Sequence, residues 1–316
     1  MSTQLETLTQ INLDDLVSSF GWEQRPLLAS ALRRLFGSPA RNFAGQMTEF
    51  DADTGRVNLA EASRQLMRHY YVKDVRVHGR ENIPTAGPVL FLANHPGMAD
   101  TISLFAAINR ADLKIIALQR PFLVSLAQVT RQLFFIDGDS ASRMKAVRQV
   151  AAHLRSGGAA LTFPAGKIEP DPTVYEGAAD SLPDWTDSAG VFMRFTPQTR
   201  IVPVLVSGVV WKKAARHWLT FFKRTRAERE KLAAALQLLA MVSRGVRPTT
   251  VHIRFAKPIT VNEIGSTETQ AIHQAVMVRM HDLLEIRTKE AGVSALYPDA
   301  MHLLEIGNKP SVESVY

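Results

Sequence analysis

Two rhythms of apolar and polar positions divide this chain. Up to about Tyr71 the apolar residues recur at helical spacing, in segments Leu13 to Phe20, Pro26 to Phe36 and Asn58 to Tyr71 separated by Gly21, Gly37 and Gly55. In the last of these, Leu59, Ala62, Leu66 and His69/Tyr70 form one apolar stripe that needs something larger to cover it. After Tyr71 short apolar runs alternate with amphipathic stretches. The runs predict strands at Val75 to His78, Val89 to Ala93, Lys114 to Leu118, Leu133 to Ile136, Ala159 to Phe163, Ile201 to Val206 and Val251 to Phe255. The stretches between them predict helices at Ala99 to Asn109, Ser140 to Arg155, Ala189 to Thr196 and Arg226 to Ser243, with another after the last strand at Glu268 to Lys289. Strands interleaved with crossover-length helices imply an α/β fold, with a mixed, largely parallel central sheet flanked by helices and a helical N-terminal appendage. The expected divisions are 1–72 for the appendage, 73–290 for the α/β domain and 291–316 for an irregular C-terminal tail.

Two local patterns refine this outline. The run from Asp51 to Glu61 has the alternating acids of a calcium loop, but it is one residue short and Gly55 stands at the fifth place instead of the sixth. It reads as a polar loop before a helix. Thr267-x-x-Gln270 is a capping-box pattern at the expected start of the last helix.

Composition narrows the chemistry. With 316 residues, 46% of them hydrophobic, the chain has ample material for a core. It has no cysteine, which excludes disulfides, thiolate metal sites and cysteine nucleophiles. The His and Glu spacings show no zinc pattern. Met1 to Asp15 lacks the order of a secretory signal, and no apolar run approaches the roughly 18 residues that a spanning helix needs. The expectation is a chain that does not cross a membrane. Its net charge of +7 favours an anionic partner, whether nucleic acid, an anionic bilayer surface or a phosphate-bearing substrate.

The stretch Phe91-Leu92-Ala93-Asn94-His95-Pro96-Gly97-Met98-Ala99-Asp100 carries the first chemical signal. An isolated histidine at a strand end is ordinarily a satisfied structural residue. His95 differs from the other histidines because Asp100 follows across a Pro-Gly turn. Residues five apart do not share a helical face, whereas such a turn can fold the carboxylate onto an imidazole nitrogen. A carboxylate on one nitrogen fixes the tautomer, and the other nitrogen is left to accept a proton from a hydroxyl.

Asn94 to Asp100 resembles the NH-x4-D block of the glycerolipid acyltransferases, the group of glycerol-3-phosphate and lysophosphatidate acyltransferases. Three further matches follow in family order: Leu133-Phe134-Phe135-Ile136-Asp137, Phe163-Pro164-Ala165-Gly166-Lys167 and Ile201-Val202-Pro203-Val204, the last an apolar strand interrupted by proline. The resemblance spans roughly Val75 to Phe255. It implies that His95 is the general base on an acceptor hydroxyl, that Asp100 supports it, and that the second and third blocks bind the acceptor. It also implies an acyl thioester donor, either acyl-CoA or acyl carrier protein, a lipid acceptor, and no resident cofactor or metal. The chain departs from the family pattern at Gly138, where an Arg is expected, at Ala165, where a Glu is expected, and at Lys167-Ile168 in place of Thr-Arg. Lys167 offers an anionic head group a point charge without the planar fork of an Arg.

Each block also has a plain structural reading. Leu133 to Ile136 and Ile201 to Val206 read equally as buried strands, Asp137 as a turn or helix cap, and Phe163-Pro164 with Gly166 as a strand exit. Leu161 and Ile168 rule out a P-loop around Gly166-Lys167, and neither a G-x-S-x-G elbow nor a G-x-G-x-x-G run is present.

A second signal lies in Trp211 to Arg226. On one helix, Trp211, Ala214, Ala215, Trp218, Leu219 and Phe222 share a face, while Lys212, Lys213, Arg216, Lys223, Arg224 and Arg226 bring six positive charges and no acid. This pattern fits an interfacial helix on an anionic membrane, a core-packed helix with a solvated basic rim, or a dock for an acidic carrier protein. No nucleic-acid recognition motif accompanies it.

The sequence therefore leads to a peripheral O-acyltransferase on the cytoplasmic, inner face of a membrane. His95 and Asp100 are its catalytic pair, and Asn94, Gly97, Asp137, Phe163, Pro164, Gly166 and Lys167 are its substrate-binding residues. Trp211, Lys212, Lys213, Arg216, Trp218 and Phe222 are its membrane contacts. The alternative is a non-catalytic lipid-binding protein on the same scaffold, against which the retained His-Asp pair argues.

Overall fold

The computed structural model describes residues 3–136, 140–222 and 225–296. The chain opens with α1 (Thr3–Ser19), α2 (Pro26–Arg56) and α3 (Leu59–Leu66), the last running into a π-helical turn, Met67–Tyr71. There follow β1 (Asp74–His78), β2 (Val89–Ala93), α4 (Met98–Ile108), β3 (Leu113–Leu118), α5 (Pro121–Val124), α6 (Ala127–Thr130) and β4 (Leu133–Ile136). Next come α7 (Ser140–Arg155), β5 (Ala159–Thr162), α8 (Ser188–Phe195), β6 (Arg200–Ser207) and α9 (Lys212–Ala215). The series ends with α10 (Arg226–Arg244), β7 (Thr250–Phe255), α11 (Val261–Ile264) and α12 (Thr269–Leu296).

The seven strands form one sheet in the order β1-β7-β6-β2-β5-β3-β4. From β6 to β4 all neighbours are parallel, β7 runs antiparallel to β6, and β1 is parallel to β7. Alternate residues of the central strands feed two cores. Val89, Phe91 and Ala93 of β2, with Val202, Val204 and Val206 of β6, face the side covered by the N-terminal helices and α4. Leu90 and Leu92, with Ile201 and Leu205, face α7, α8 and α12. Burial on both faces is why these strands read as unbroken apolar runs. Each large side chain so buried contributes about 1.5–3 kcal/mol.

All seven strands lie within one residue of their expected limits. The N-terminal helices differ more. Helix α2 runs unbroken past Gly37, Pro39 and Gly55, because Ala44, Met47 and Phe50 in its second half are buried against the sheet's core and outweigh the local breakers. The polar loop expected from Asp51 is instead the last helical stretch of α2. Asp51 is buried there and accepts the backbone N–H groups of Gln128 (2.8 Å) and Val129 (2.9 Å), so it caps the short helix α6 from a distant part of the chain. α12 starts at Thr269, two residues after Thr267. β6 runs through Pro203 without interruption. The β7 ladder begins only at Val204, so the missing N–H of Pro203 costs no rung there.

Because five strands run parallel, their carboxyl ends share one edge. His95 follows β2, Phe163 follows β5, and the Gly208 segment follows β6. Open α/β sheets bind ligands at this edge. Asp137 and Gly138, after β4, lie outside the described residues, as do Lys223, Arg224 and the chain from 297 on. Among the described residues, no helix is long and apolar enough to cross a membrane.

Candidate active site

His95 sits two residues beyond β2, just before α4. Gly97 caps that helix with φ at +157°, where L side chains are rare, and a Cβ there would lie 3.3 Å from Val209 Cγ1. The turn it permits brings Asp100, at the third helical position, back over the helix start. Asp100 Oδ2 accepts the Gly97 N–H (2.8 Å) and lies 2.8 Å from His95 Nδ1. Its Oδ1 accepts the hydroxyl of Thr101 (2.9 Å) and that residue's N–H. Asp100 is 0% exposed and every lone-pair direction in use is served by a donor, so the carboxylate is held in one orientation. The helix N-terminus further favours its negative charge.

The His95 side chain is 26% exposed. The ring stacks on Phe163 at 4.5 Å between centroids, and no hydrogen bond to Nε2 occurs among the described residues. Burial pushes the imidazole pKa down, but the Asp100 charge and hydrogen bond, with a contribution from Glu169, push it up and prevail. With Asp100 accepting from Nδ1, Nε2 is the nitrogen left to take a proton.

The other expected residues gather at the same edge with varied roles. Both amide atoms of Asn94 are spent on β6: Nδ2 donates to Val206 O (2.9 Å) and Oδ1 accepts from Val206 N (2.7 Å). Asn94 thus extends the β2–β6 pairing by one rung and places His95 just beyond it. Gly166 has φ of +63° and its N–H donates to Phe163 O at 3.0 Å, closing a turn after β5, and Pro164 O accepts the Thr186 N–H. Lys167 is solvent-exposed and ion-paired with Asp184 at 2.8 Å.

Two carboxylates escape the sequence reading. Glu169 is 2% exposed; Oε2 accepts the His95 N–H (3.0 Å), and Oε1 accepts Trp185 Nε1–H (2.8 Å) and the Ser181 hydroxyl (3.1 Å). Burial raises its pKa, against the opposing pull of those donors. Asp171, also buried, accepts the N–H groups of Gly208 (3.0 Å) and Val210 (2.8 Å), tying the loop after β5 to the end of β6. The signal that marks them is Glu169-Pro170-Asp171-Pro172: prolines hold each preceding acid in an extended conformation directly after the third block.

The basic stretch is not one helix. Lys212–Ala215 is a single α-turn, and Trp218–Phe222 is a separate 3-10 turn. Thr220 Oγ1 donates to His217 O (2.7 Å), His217 Nδ1 accepts the Leu219 N–H, and Gln237 holds Trp211 N (2.7 Å). Ala214 and Thr220 are buried, Lys212, Lys213 and Arg216 are exposed, and Trp218 and Phe222 stand 62% and 75% exposed. Phe221 is 74% exposed as well.

Residues 74–207, from β1 to the end of β6, match the family model described as Acyltransferase. Over this segment the chain is similar to the acyltransferase family. The matched segment contains His95, Asp100, Glu169 and the loop after β5. Among solved structures, the domain is similar to the 1-acyl-sn-glycerophosphate (LPA) acyltransferase PlsC from Thermotoga maritima. That likeness has 17% identity and a TM-score of 0.40, over 79% of this chain and 97% of that one. A search of curated proteins found no match to the chain.

Proposed function

We propose that this acyltransferase moves a fatty acyl group from a thioester, on coenzyme A or an acyl carrier protein, to a hydroxyl of a glycerolipid precursor or lysolipid. The observation that carries the reading is the 2.8 Å contact between His95 Nδ1 and the fully buried Asp100 carboxylate, at the carboxyl edge of the parallel strands. His95 Nε2 takes the proton of the acceptor hydroxyl as its oxygen attacks the thioester carbonyl. The tetrahedral intermediate collapses with loss of the C–S bond, and the imidazolium returns the proton to the departing thiolate. No resident cofactor is needed for these steps. Asp100 holds the tautomer that makes Nε2 basic and stabilises the imidazolium while the proton is held there.

Purified full-length protein tested with acyl-CoA and acyl carrier protein thioesters, against glycerol-3-phosphate, lysophosphatidate and other lysophospholipids, is expected to release free thiol with at least one pair. Silence across that panel would sink the enzymatic reading in favour of a binding protein on the same scaffold. Lys167 already has Asp184 as a partner, so its exchange for Gln is expected to alter acceptor KM less than loss of an unpaired head-group cation would.

We also place the protein on the cytoplasmic, inner face of a membrane, through the exposed aromatic turn and its basic flank. Lys212, Lys213 and Arg216 sit beside Trp218, Phe221 and Phe222, and no acidic residue occurs from Ser188 to Ala227. Aromatic rings suit the headgroup layer, and each cation near an anionic surface is worth on the order of 1 kcal/mol. Replacing all three with Gln is expected to weaken sedimentation with phosphatidylglycerol-containing vesicles by on the order of 10²-fold. Undiminished binding by that variant would remove this surface from the account.

A further inference from the structure

The departures in the third block leave Ala165 where the related pattern carries a carboxylate, yet the loop does bury one, Glu169, directly against the His95 main chain. We propose that Glu169 is a positioning residue for acyl transfer, which clamps the backbone of the general base and keeps a second negative charge behind the imidazolium that forms in the reaction. The proposal rests on the His95 reading above and adds a residue that acts through it.

The clamp has two points. Glu169 Oε2 accepts the His95 N–H at 3.0 Å, and the Glu169 N–H donates to His95 O at 2.8 Å, so both main-chain groups of the base are bonded to one residue 74 positions away. Trp185 Nε1 and Ser181 Oγ hold the other carboxylate oxygen, at 2.8 and 3.1 Å. With Asn94 fixed on Val206 and Asp100 on the ring, His95 is constrained from three elements. These contacts leave its backbone no alternative partner.

Why a carboxylate stands here is a separate question from why a clamp does. The three donors to its carboxylate, one main-chain and two side-chain, are all neutral, and no ion pair to it occurs among the described residues. A buried acid without a cation is costly unless a positive charge appears nearby. His95 supplies that charge each time it takes a proton. The titratable groups acting on the His95 ring are Asp100 on α4 and Glu169 on the loop after β5. Phe163 covers one ring face, Val209 of the β6 side meets Gly97, and Lys167 is turned to Asp184. Asp100 fixes the ring through a direct contact, whereas Glu169 acts from behind through the backbone and through space.

Two substitutions separate the clamp from the charge. Glu169→Gln keeps the shape and removes the charge; Glu169→Asp keeps the charge but is one methylene short of spanning His95 N and the Trp185–Ser181 pair. In 15N-histidine-labelled protein, Glu169→Gln is expected to move the His95 titration midpoint to lower pH, and Glu169→Asp to leave it near wild type. In turnover, Glu169→Asp is expected to lower kcat by on the order of 10²-fold with little change in KM, as a misplaced catalytic group does, and Glu169→Gln to lower kcat through the lost charge behind the imidazolium. Asp171→Asn, which loosens the same loop without touching His95, is expected to leave the His95 midpoint in place. Where Glu169→Gln fails to fold, the wild-type chain decides: the Glu169 carboxyl 13C signal is expected to show an inflection at the His95 midpoint. A Glu169→Gln protein with wild-type midpoint and kcat, or a Glu169 signal blind to His95, would overturn the proposal. If wild-type protein has no turnover at all, the acyl-transfer reading falls, while the two NMR titrations still decide whether Glu169 and His95 are coupled.

Discussion

His95→Ala is expected to give a folded protein whose kcat for acyl transfer is down by on the order of 10²–10⁴-fold, the usual worth of a positioned general base. The fold survives because its main chain, not its ring, does the structural work at this position. The His95 N–H and C=O groups remain bonded to Glu169, and Asp100 keeps the N–H of Gly97 and both donors of Thr101 when the imidazole is gone. The ring packs mainly on Phe163, so the loss in stability is about 1 kcal/mol. Thiol release under saturating substrates, paired with a thermal melt, checks both halves. A variant that melts normally and retains wild-type turnover would dismiss His95 as the base.

Asp100→Asn is the second large effect, and it carries a sign. His95 must be neutral to act as a base, and its pKa is held above the ordinary histidine value. Wild-type kcat/KM is therefore expected to rise with pH through a midpoint above that ordinary value. Removing the Asp100 charge takes away what raises the imidazole pKa, so the midpoint moves to lower pH. Turnover still falls at every pH, by on the order of 10²–10⁴-fold, because an amide no longer enforces the tautomer that leaves Nε2 free. Stability runs the opposite way with pH. The pair's contribution is full below the unfolded histidine pKa and is lost as pH rises through the raised folded value, so acid favours the paired state while catalysis needs base. The amide also turns an N–H₂ toward donors already pointing at this site, at a cost of about 1–3 kcal/mol. An unmoved acid limb in Asp100→Asn would separate the aspartate from the base.

Together the two substitutions describe a site built mostly from backbone. Asn94 continues the β2–β6 pairing, Gly97 allows the helix to start at once, and the Glu169–Pro170–Asp171 loop ties β2, β5 and the end of β6 together. Asn94, Glu169 and Asp171 each bond a side chain to the main chain of another segment, which fixes that segment's position. Of the residues that depart from the related pattern, Ala165 packs partly buried against the core shared by α7, α8 and α12, and Lys167 is exposed.

What was legible in the chain alone is what depends on near neighbours. The central strands β2, β5 and β6 are legible to within one residue because they are buried on both faces and so show short apolar runs against amphipathic flanks. The His95–Asp100 pair was legible for the same reason, since a five-residue stretch with a Pro-Gly turn has little freedom to place the acid elsewhere. Tertiary structure alone decided the rest. Asp51 looked like part of a loop until α6 brought unpaired N–H groups to it from 77 positions away. Trp211 to Arg226 reads as one amphipathic helix, whereas the Gln237 and His217–Thr220 contacts hold its first part as two short separate turns. Glu169 carries no local sign of its partner, because the strand order β6-β2-β5 is what sets the loop after β5 beside the end of β2. Periodicity records which face of an element is buried; the partner of a buried polar group is chosen by topology, and only the folded chain contains that.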